Sequence, residues 1–478
     1  MGDTRRGKVS TQANWALDGS RGELTHQLCE QIRGSIQRRE LVAGDRIPAT
    51  RPLAAQLGVA RGTVTAAVEM LTAEGVLVAR VGAGTFVSAD AEHAYTPAET
   101  RARAAPVLAH IPGRPDIDEA GEARIDFRPC RPSLESFPFA VWRRCLARAG
   151  QSVPSADYGD PRGLAALREA IANYLRRARG LNASADEIIV TNGSVHAMHL
   201  LATLCLDHRT TAVFENPGFP LARQVFANTG SRLHLCAVDD DGMQLDQLPD
   251  RRRRVGLVYV TPSHQFPVGS RLSLGRRREL IDWVRSRDAL LLEDDYDGEY
   301  RFDVPPLAPI AVMAPESVVY CGTFSKTMFP GLRIGFAVAP RSVIDAMAAR
   351  RAMSEYAPND PLQLALRHFI EDGEYERHIL RMRRLYAIKR RLVADTLGAA
   401  ATLTGIASGL SALIEFDPAI RADDLSRALA EEGILMPPLS RYDVGGANPR
   451  NALVCGYAQP TRANIRVGIK RVRALLAT

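Results

Sequence analysis

The chain has 478 residues, 46% hydrophobic and 24% charged, with a net charge of +7 at pH 7. This is a globular composition, so wholesale disorder is excluded, and no apolar run is long enough to span a bilayer. The seven cysteines are scattered and never form a C-x-x-C pair, and the charged N-terminus lacks a secretory signal. We therefore expect a protein of a reducing cytoplasm, with no membrane segment, disulfide scaffold or metal site.

The first pattern in chain order is a small helical unit at residues 21–88. Leu24, Leu28, Ile32 and Ile36 recur every four residues, which predicts an amphipathic helix. A short helix over 51–57 and a third helix over about 61–74 follow, ending at Gly58 and Gly75. Two β runs, 76–81 and 85–87, are then joined by a glycine turn, which predicts a hairpin. Together these elements predict a winged helix-turn-helix.

Such a unit can read DNA, because its third helix fits the major groove. The expected contacts come from polar residues and the wing: Arg61, Thr63 and Thr65 at base edges, Arg46 and Arg51 at phosphates, and Arg80 and the turn beginning at Gly82 at the adjacent groove or backbone. The same fold can instead serve protein contacts, but that role does not require the glycine wing or a polar start of the third helix.

Four runs in this unit, GDRIP (44–48), LGVARGTV (57–64), LTAEG (71–75) and GAGTFV (82–87), resemble the GntR-type winged helix. Residues 89–123 are rich in Ala, Pro, Glu and Arg without an apolar period, so we interpret them as a linker. From 124 to 478, helical segments alternate with short apolar strands, which predicts an α/β domain with a mainly parallel sheet.

Lysine is scarce: of 61 basic residues only Lys8, Lys326, Lys389 and Lys470 are lysines. Arginine cannot form a Schiff base, so these are the four candidates for covalent amine chemistry. Lys326 is favoured because small hydroxyl residues precede it and an arginine follows it. Its amine can condense with an aldehyde cofactor, while Thr323, Ser325 and Arg333 hold a phosphate on that cofactor.

Other strand ends supply the remaining parts of a pyridoxal-phosphate site. An acidic run follows the strand Leu290–Leu292, and Asp294 is the candidate partner of the cofactor's ring nitrogen, with Asp295 as its alternative. Tyr296 can donate to the ring oxygen. The helix that opens at Ser194 and Val195 can bind the phosphate. Phe219 can stack on the ring or belong to the core, and the acidic run can instead be a solvated loop.

These residues resemble the fold-type-I aminotransferases over residues 126–469, which implies a smaller C-terminal α+β subdomain. The resemblance implies that Tyr158 reaches the phosphate of the neighbouring subunit's site. It also implies that His264 or Gln265 contacts the ring oxygen, and that Arg466 clamps a substrate carboxylate.

The combination of a GntR winged helix, a linker and this domain resembles the MocR family of bacterial transcriptional regulators. The family implies pyridoxal 5'-phosphate bound as an internal aldimine at Lys326, and a head-to-tail homodimer on double-stranded promoter DNA. An amine, an amino acid or the cofactor itself would be the effector. Two alternatives remain open: a working aminotransferase with an appended DNA-binding domain, and an effector-blind DNA-binding protein.

Overall fold

The computed structural model describes residues 15–20, 22–91, 124–153, 155–302, 308–446 and 448–477. The chain divides into two compact units, Met1–Gly113 and Arg114–Thr478, and each is described by itself. Residues 92–123, most of the predicted linker, lie outside the described residues.

Three helices and a three-stranded antiparallel sheet make up most of the described part of the first unit. The elements are α1 (Leu24–Gln37), α2 (Thr50–Leu57), α3 (Arg61–Ala73), β1 (Arg46–Ile47), β2 (Leu77–Arg80) and β3 (Gly84–Val87). The strands lie in the order β1-β3-β2. Helix α2 ends at Gly58, whose φ of 65° is the left-handed conformation that glycine adopts at little cost. The predicted winged helix-turn-helix is thus confirmed.

One apolar core joins these elements and extends beyond the predicted 21–88. Leu28, Val64 and Leu71 are fully buried in it. Trp15 packs against the same core, and its indole nitrogen donates to the Ser35 hydroxyl at 3.0 Å. Ala91, inside the predicted linker, is buried there too. Single apolar residues outside a periodic segment leave no signal in a sequence, so neither extension was predictable.

An eight-stranded sheet forms the centre of the second unit. Its strands are β5 (Ile188–Thr191), β6 (Thr211–Asn216), β7 (Arg232–Asp239), β8 (Gly242–Met243), β9 (Val255–Val260), β10 (Leu290–Asp294), β11 (Val318–Thr323) and β12 (Gly335–Val338). They lie in the order β5-β12-β11-β10-β9-β6-β7-β8. The pairings from β11 through β7 are parallel, whereas β12 is antiparallel to both neighbours and β8 is antiparallel to β7. The sheet is mainly parallel, as predicted.

Both faces of this sheet are buried, because alternate strand residues belong to two separate apolar clusters. Val190 and Val258 lie in one, and their neighbours Ile189 and Leu257 lie in the other. Because both faces of the sheet are buried, its strands are continuous apolar runs in the sequence. The helices of this region are α4 (Phe139–Ala149), α5 (Ala165–Arg179), α6 (Ser194–Cys205), α7 (Pro220–Ala227), α8 (Leu274–Arg285), α9 (Ile310–Met313), α10 (Arg341–Ala352) and α11 (Asp360–Glu371).

A smaller α+β subdomain follows, as predicted. It contains α12 (Glu374–Leu397), β13 (Thr402–Thr404), β14 (Ser411–Glu415), α13 (Ala422–Glu431), β15 (Ile434–Leu435), β16 (Ala452–Gly456) and α14 (Arg462–Leu476). Strands β13, β14 and β16 form an antiparallel sheet. Strand β15 instead pairs in parallel with β4 (Ile125–Asp126), which ties the start of the second unit to this subdomain.

The topology brings several strand ends to one edge of the large sheet. Strand β12 is antiparallel to both β5 and β11, so β5 runs in the same direction as β11 and its parallel neighbours. The C-terminal ends of β5, β6, β9, β10 and β11 therefore meet at one edge, where ligands bind in open α/β sheets.

No helix within the described residues is both long and apolar enough to cross a membrane. In the same part of the chain, no group of three or more His, Cys, Asp or Glu side chains is arranged to hold a metal ion.

A glycine at one helix contact gives a test of this packing. A Cβ added to Gly468 of α14 would overlap the buried Phe127 ring. Gly468→Ala should therefore lower the free energy of unfolding by about 1–3 kcal/mol. Gly275→Ala, at an exposed position of α8 with no atom within 4 Å of the added Cβ, should leave it unchanged or raise it by up to about 1 kcal/mol. Urea unfolding followed by circular dichroism measures both, and equal midpoints would contradict the packing.

Candidate functional site

A cavity of about 490 Å³ lies at the edge where the parallel strands end. Most of the predicted cofactor residues line it: Lys326, Asp294, Tyr296, Arg333, Thr323, Ser325, Ser194, Val195 and Phe219. These residues come from five separate chain segments, so the fold brings together what the sequence keeps far apart.

The amine of this cavity comes from the loop after β11. Lys326 is half-buried and lines the cavity, and the Ser325 amide nearby donates to the Thr323 hydroxyl at 3.2 Å. The buried Lys389 donates to the Ala458 carbonyl at 2.7 Å in the C-terminal subdomain, and Lys470 is exposed on α14. Lys8 lies outside the described residues. Lys326 is thus the only described lysine at this cavity.

A buried carboxylate faces the same space from the end of β10. Asp294 is 4% exposed, and its Oδ2 accepts from the Tyr259 hydroxyl at 2.8 Å, whereas its buried Oδ1 has no hydrogen-bond partner. Burial raises the pKa of Asp294 to about 7, although Tyr259 and the Lys326 ammonium both lower it. Asp295, the alternative, ion-pairs with Arg179 away from the cavity.

Tyr259 is one of the residues of this cavity that the sequence analysis missed. Its ring is stacked on Phe214, with centroids 4.6 Å apart, and burial holds its pKa well above the ordinary value. The hydroxyl therefore stays protonated and donates to Asp294. In the sequence, Tyr259 is one more apolar residue of a predicted strand, and its position near the end of that strand is the only signal of a site. The pairing of β9 with β10, which brings it to Asp294, is a feature of the fold.

Another part of the cavity lining is built to attract an anion. Ser194 and Val195 open helix α6, whose first backbone N–H groups have no partner within the helix. The preceding Gly193 has a φ of 87°, and a Cβ there would lie 3.2 Å from the Arg333 guanidinium. Arg333 donates to the Asn192 carbonyl at 2.7 Å, which holds its charge beside this turn.

The sequence analysis placed Tyr296, and either His264 or Gln265, at the ring oxygen of the cofactor. Tyr296 lines the cavity, but neither His264 nor Gln265 is among the described residues that do. His264 Nδ1 lies 3.0 Å from both the Tyr296 hydroxyl and Asp297 Oδ2. The Gln265 amide donates to the Pro217 carbonyl at 2.8 Å. The predicted direct cofactor contact of His264 is therefore corrected: it lies behind Tyr296.

The protonation state of His264 determines the direction of the Tyr296 O–H bond. Burial lowers the pKa of His264, but the Asp297 carboxylate outweighs it and raises the pKa above the ordinary value. In the imidazolium form, Nε2 donates to the Gly405 carbonyl at 3.3 Å and Nδ1 donates towards Asp297 and Tyr296. The Tyr296 oxygen then accepts, and its own O–H is available to the cavity.

Two aromatic predictions have different outcomes. Phe219 lines the cavity and also packs edge-on against Phe266, with centroids 5.8 Å apart. Its stacking on a cofactor ring stays a prediction. Tyr158 is 73% exposed and stacks on Tyr356 at 4.5 Å, away from its own chain's cavity. Its contact with a neighbouring subunit stays a prediction.

Arg466 does not reach this cavity. Helix α14 turns Ile465, Ile469 and Val472 into the core, which leaves Arg466 exposed on the opposite face beside Lys389 and Arg462. The prediction that it clamps a ligand carboxylate is therefore corrected. The arginines among the described lining residues are Arg131, Arg333 and Arg441.

In the first unit, the predicted DNA contacts lie at the surface. Arg46, Arg51, Arg61, Arg80 and Gly82 are exposed, and Thr63 and Thr65 are half-buried. Arg61 opens α3, whose other face is buried through Val64, Ala67 and Leu71. The Arg80 guanidinium lies over the Phe86 ring, 4.9 Å from its centroid, and a turn at Gly82 with a φ of 74° closes the wing.

Two family models match the chain. The model for bacterial regulatory proteins of the gntR family matches residues 24–87, and the model for aminotransferases of class I and II matches residues 131–472. The first matched region contains the winged helix, and the second contains most residues of the cavity at Lys326.

Similar proteins share nearly the whole chain. It is 34% identical to the probable rhizopine catabolism regulatory protein MocR of Rhizobium meliloti, over 94% of this chain and 92% of that protein. It is 33% identical to the pyridoxine biosynthesis transcriptional regulator PdxR of Corynebacterium glutamicum, over 92% of this chain and 93% of that protein. A solved structure of the α-aminoadipate aminotransferase LysN of Thermus thermophilus, complexed with N-(5'-phosphopyridoxyl)-L-leucine, is 26% identical. Its TM-score is 0.67, over 74% of this chain and 92% of LysN.

Fold, cavity and these matches define a class of protein: a transcriptional regulator in which a GntR-type winged helix precedes an aminotransferase-like domain. The relatives that match along both parts are named as regulators rather than enzymes. This chain belongs to the MocR family of transcriptional regulators.

The raised pKa of Asp294 gives a pH-dependent prediction for the cofactor-free protein. Between the ordinary carboxyl pKa near 4 and about 7, the folded state binds more protons at this site than the unfolded chain. The free energy of unfolding therefore falls as pH rises through this range. Asp294→Asn removes this pH-dependent loss of stability. The variant should therefore be more stable than the wild type by about 1–3 kcal/mol at pH 8 and about equally stable at pH 4.

Urea unfolding at both pH values measures this effect. Asp295→Asn is the matched control, because it leaves the buried Arg179 without its ion-pair partner and should destabilise the protein. An Asp294→Asn protein that is less stable than the wild type at pH 8 would contradict the expected cost of the buried charge.

Proposed function

We propose that this regulator binds pyridoxal 5'-phosphate at Lys326, and that an amine or amino acid reacting there changes its binding to promoter DNA. The observation that carries the proposal is the unpartnered Oδ1 of Asp294 in the same cavity as Lys326. A buried carboxylate oxygen without a partner is costly, and a protonated ring nitrogen is a group that would satisfy it.

The other lining residues fit the rest of this cofactor. Its phosphate suits the N-terminus of α6 at Ser194 together with Arg333 and the Thr323 hydroxyl. When bound, pyridoxal phosphate supplies an aldehyde that condenses with amines and a ring that withdraws electrons.

Each described side chain then has a task of its own. Lys326 supplies the amine, and Asp294 keeps the ring nitrogen protonated. Tyr296, held by His264, donates its hydroxyl proton to the ring oxygen. Phe219 covers a ring face.

An effector in this cavity would meet two parts of the protein. Lys326 and Asp294 come from the large sheet, and Arg441 and Tyr442 come from the C-terminal subdomain. A ligand that binds more tightly when these parts are close together shifts the population towards that state. Coupling of this equilibrium to the winged helix would alter DNA binding.

The DNA-binding form we propose is a head-to-tail homodimer with two winged helices on two half-sites. The exposed position of Tyr158 is compatible with its reaching the partner subunit's phosphate site.

Lys326→Ala tests the cofactor site. The wild-type protein should acquire the visible absorbance band of a pyridoxal phosphate–lysine adduct, and this variant should not, because no other described lysine lines the cavity. Lys470→Ala, exposed on α14, is the matched control and should acquire the band. In gel shifts, the cofactor should change DNA binding of the wild type and of the control only. An unchanged band in Lys326→Ala, or sustained aminotransferase turnover by the wild type, would overturn the proposal.

Arg61→Ala tests the DNA surface. With duplexes selected by the wild type from a random pool, the loss of one base contact should weaken binding by about 1–3 kcal/mol and relax the preference at one position of each half-site. Arg38→Ala, exposed at the end of α1 and ion-paired with Glu40, should bind normally. Binding titrations over a range of salt concentrations distinguish a base contact from a phosphate contact, and equal affinities for both variants would contradict the assignment.

A further inference from the structure

The turn that leads into helix α6 is held from behind by one asparagine. Asn192 follows strand β5, and each of its four polar atoms has a hydrogen-bond partner. Its backbone nitrogen donates to His196 Nδ1 at 3.2 Å, and its carbonyl accepts from Arg333 at 2.7 Å. Its side-chain Nδ2 donates to Glu355 Oε2 at 2.7 Å, and its Oδ1 accepts from Arg351 at 3.4 Å. The orientation of Asn192 therefore also fixes the Arg333 guanidinium that its carbonyl holds.

The carboxylate of Glu355 meets this turn from the segment after helix α10. Its Oε2 accepts from Asn192, and its Oε1 lies 3.2 Å from His196 Nε2. Arg351, fully buried at the end of α10, lies 3.5 Å from Oε2. Among the described residues, Glu355 is the only carboxylate within ion-pair distance of Arg351. It thus joins the turn to the buried guanidinium group behind it.

The protonation of His196 makes this arrangement directional. Burial lowers the pKa of His196 to about 4, and the charge of Arg351 acts in the same direction, so the ring is neutral near pH 7. Its Nδ1 accepts from Asn192, so its single hydrogen lies on Nε2. Both oxygens of Glu355 therefore face a nitrogen that bears hydrogen. An amide at position 355 would turn its own NH2 towards one of them, and a carboxylate at position 192 has no hydrogen to donate to Glu355.

We propose that Asn192 and Glu355 are positioning residues for the phosphate of the cofactor, because their hydrogen bond aims Arg333 and the first N–H groups of α6 at one anion. The inference rests on the proposed function, which assigns a phosphate to that part of the cavity. Neither side chain is among the described residues that line the cavity, so both act through the turn. Donors that are set in place before the ligand arrives reduce the cost of binding.

The test compares pyridoxal 5'-phosphate with pyridoxal, which lacks the phosphate. Each is titrated into the cofactor-free, full-length protein, and the visible absorbance band gives the apparent affinity. Asn192→Asp and Glu355→Gln should each weaken the binding of pyridoxal phosphate about 10-fold or more, because a charge-assisted hydrogen bond is lost behind the turn. The affinity for pyridoxal should stay unchanged, which also shows that each variant is folded at Lys326.

The two substitutions together should reverse the hydrogen bond. In Asn192→Asp/Glu355→Gln, the amide at position 355 can donate to the carboxylate at position 192, while its oxygen still faces the His196 ring. One carboxylate also remains beside Arg351. The double variant should therefore regain most of the affinity for pyridoxal phosphate.

Two exposed positions give controls with the same changes of charge. Asn173→Asp lies on α5, where its side chain accepts from Arg176 at 3.3 Å. Glu371→Gln lies on α11, where its carboxylate pairs with Arg367 at 2.9 Å. Both should bind pyridoxal phosphate and pyridoxal as the wild type does.

Contrary results separate this inference from the proposed function. Single variants that bind pyridoxal phosphate as tightly as the wild type overturn the inference. Single variants that lose affinity for pyridoxal to the same extent overturn it too, because the pair would then support the fold and not the phosphate. A double variant that binds no better than the single variants has the same consequence. A wild type that forms no band with pyridoxal phosphate overturns the proposed function itself.

Discussion

The cavity of the large domain is organised around one costly arrangement, a carboxylate buried at the end of a central parallel strand with one oxygen left unpartnered. Asp294 is held in this position by the Tyr259 hydroxyl, and Tyr259 is fixed in turn by its stacking on Phe214. A structure that only needed stability would place an apolar residue here. The same cavity is lined by a lysine and by the first turn of a helix, which attracts anions.

The two tasks of the protein lie in separate units, and the chemistry of each unit matches its task. The first unit presents arginines and a glycine wing at its surface and has a mainly apolar core, in which the buried Ser35 hydroxyl accepts from Trp15. The second unit buries Asp294 and half-buries Lys326 at its cavity, whose lining comes from both of its subdomains. The parallel pair of β4 and β15 ties the start of the second unit to its C-terminal subdomain.

The corrections to the sequence analysis have a common cause. Arg466 and His264 were placed by resemblance to motifs, and a motif gives the order of residues along the chain but not the face of the element that carries them. Helix α14 buries Ile465 and Ile469, and this alone turns Arg466 outward. His264 precedes a loop that places it behind Tyr296, where it orients that residue instead of lining the cavity.

The sequence by itself determined the two-unit organisation, the winged helix, the mainly parallel sheet and the choice of Lys326, because apolar periodicity, glycine turns and the scarcity of lysine are local features of the chain. It also placed Asp294 at a strand end, with Asp295 as an alternative. Only the tertiary structure decided between those two carboxylates and brought Tyr259 to Asp294. Those choices depend on strand order and register, which are set by contacts between residues far apart in the chain.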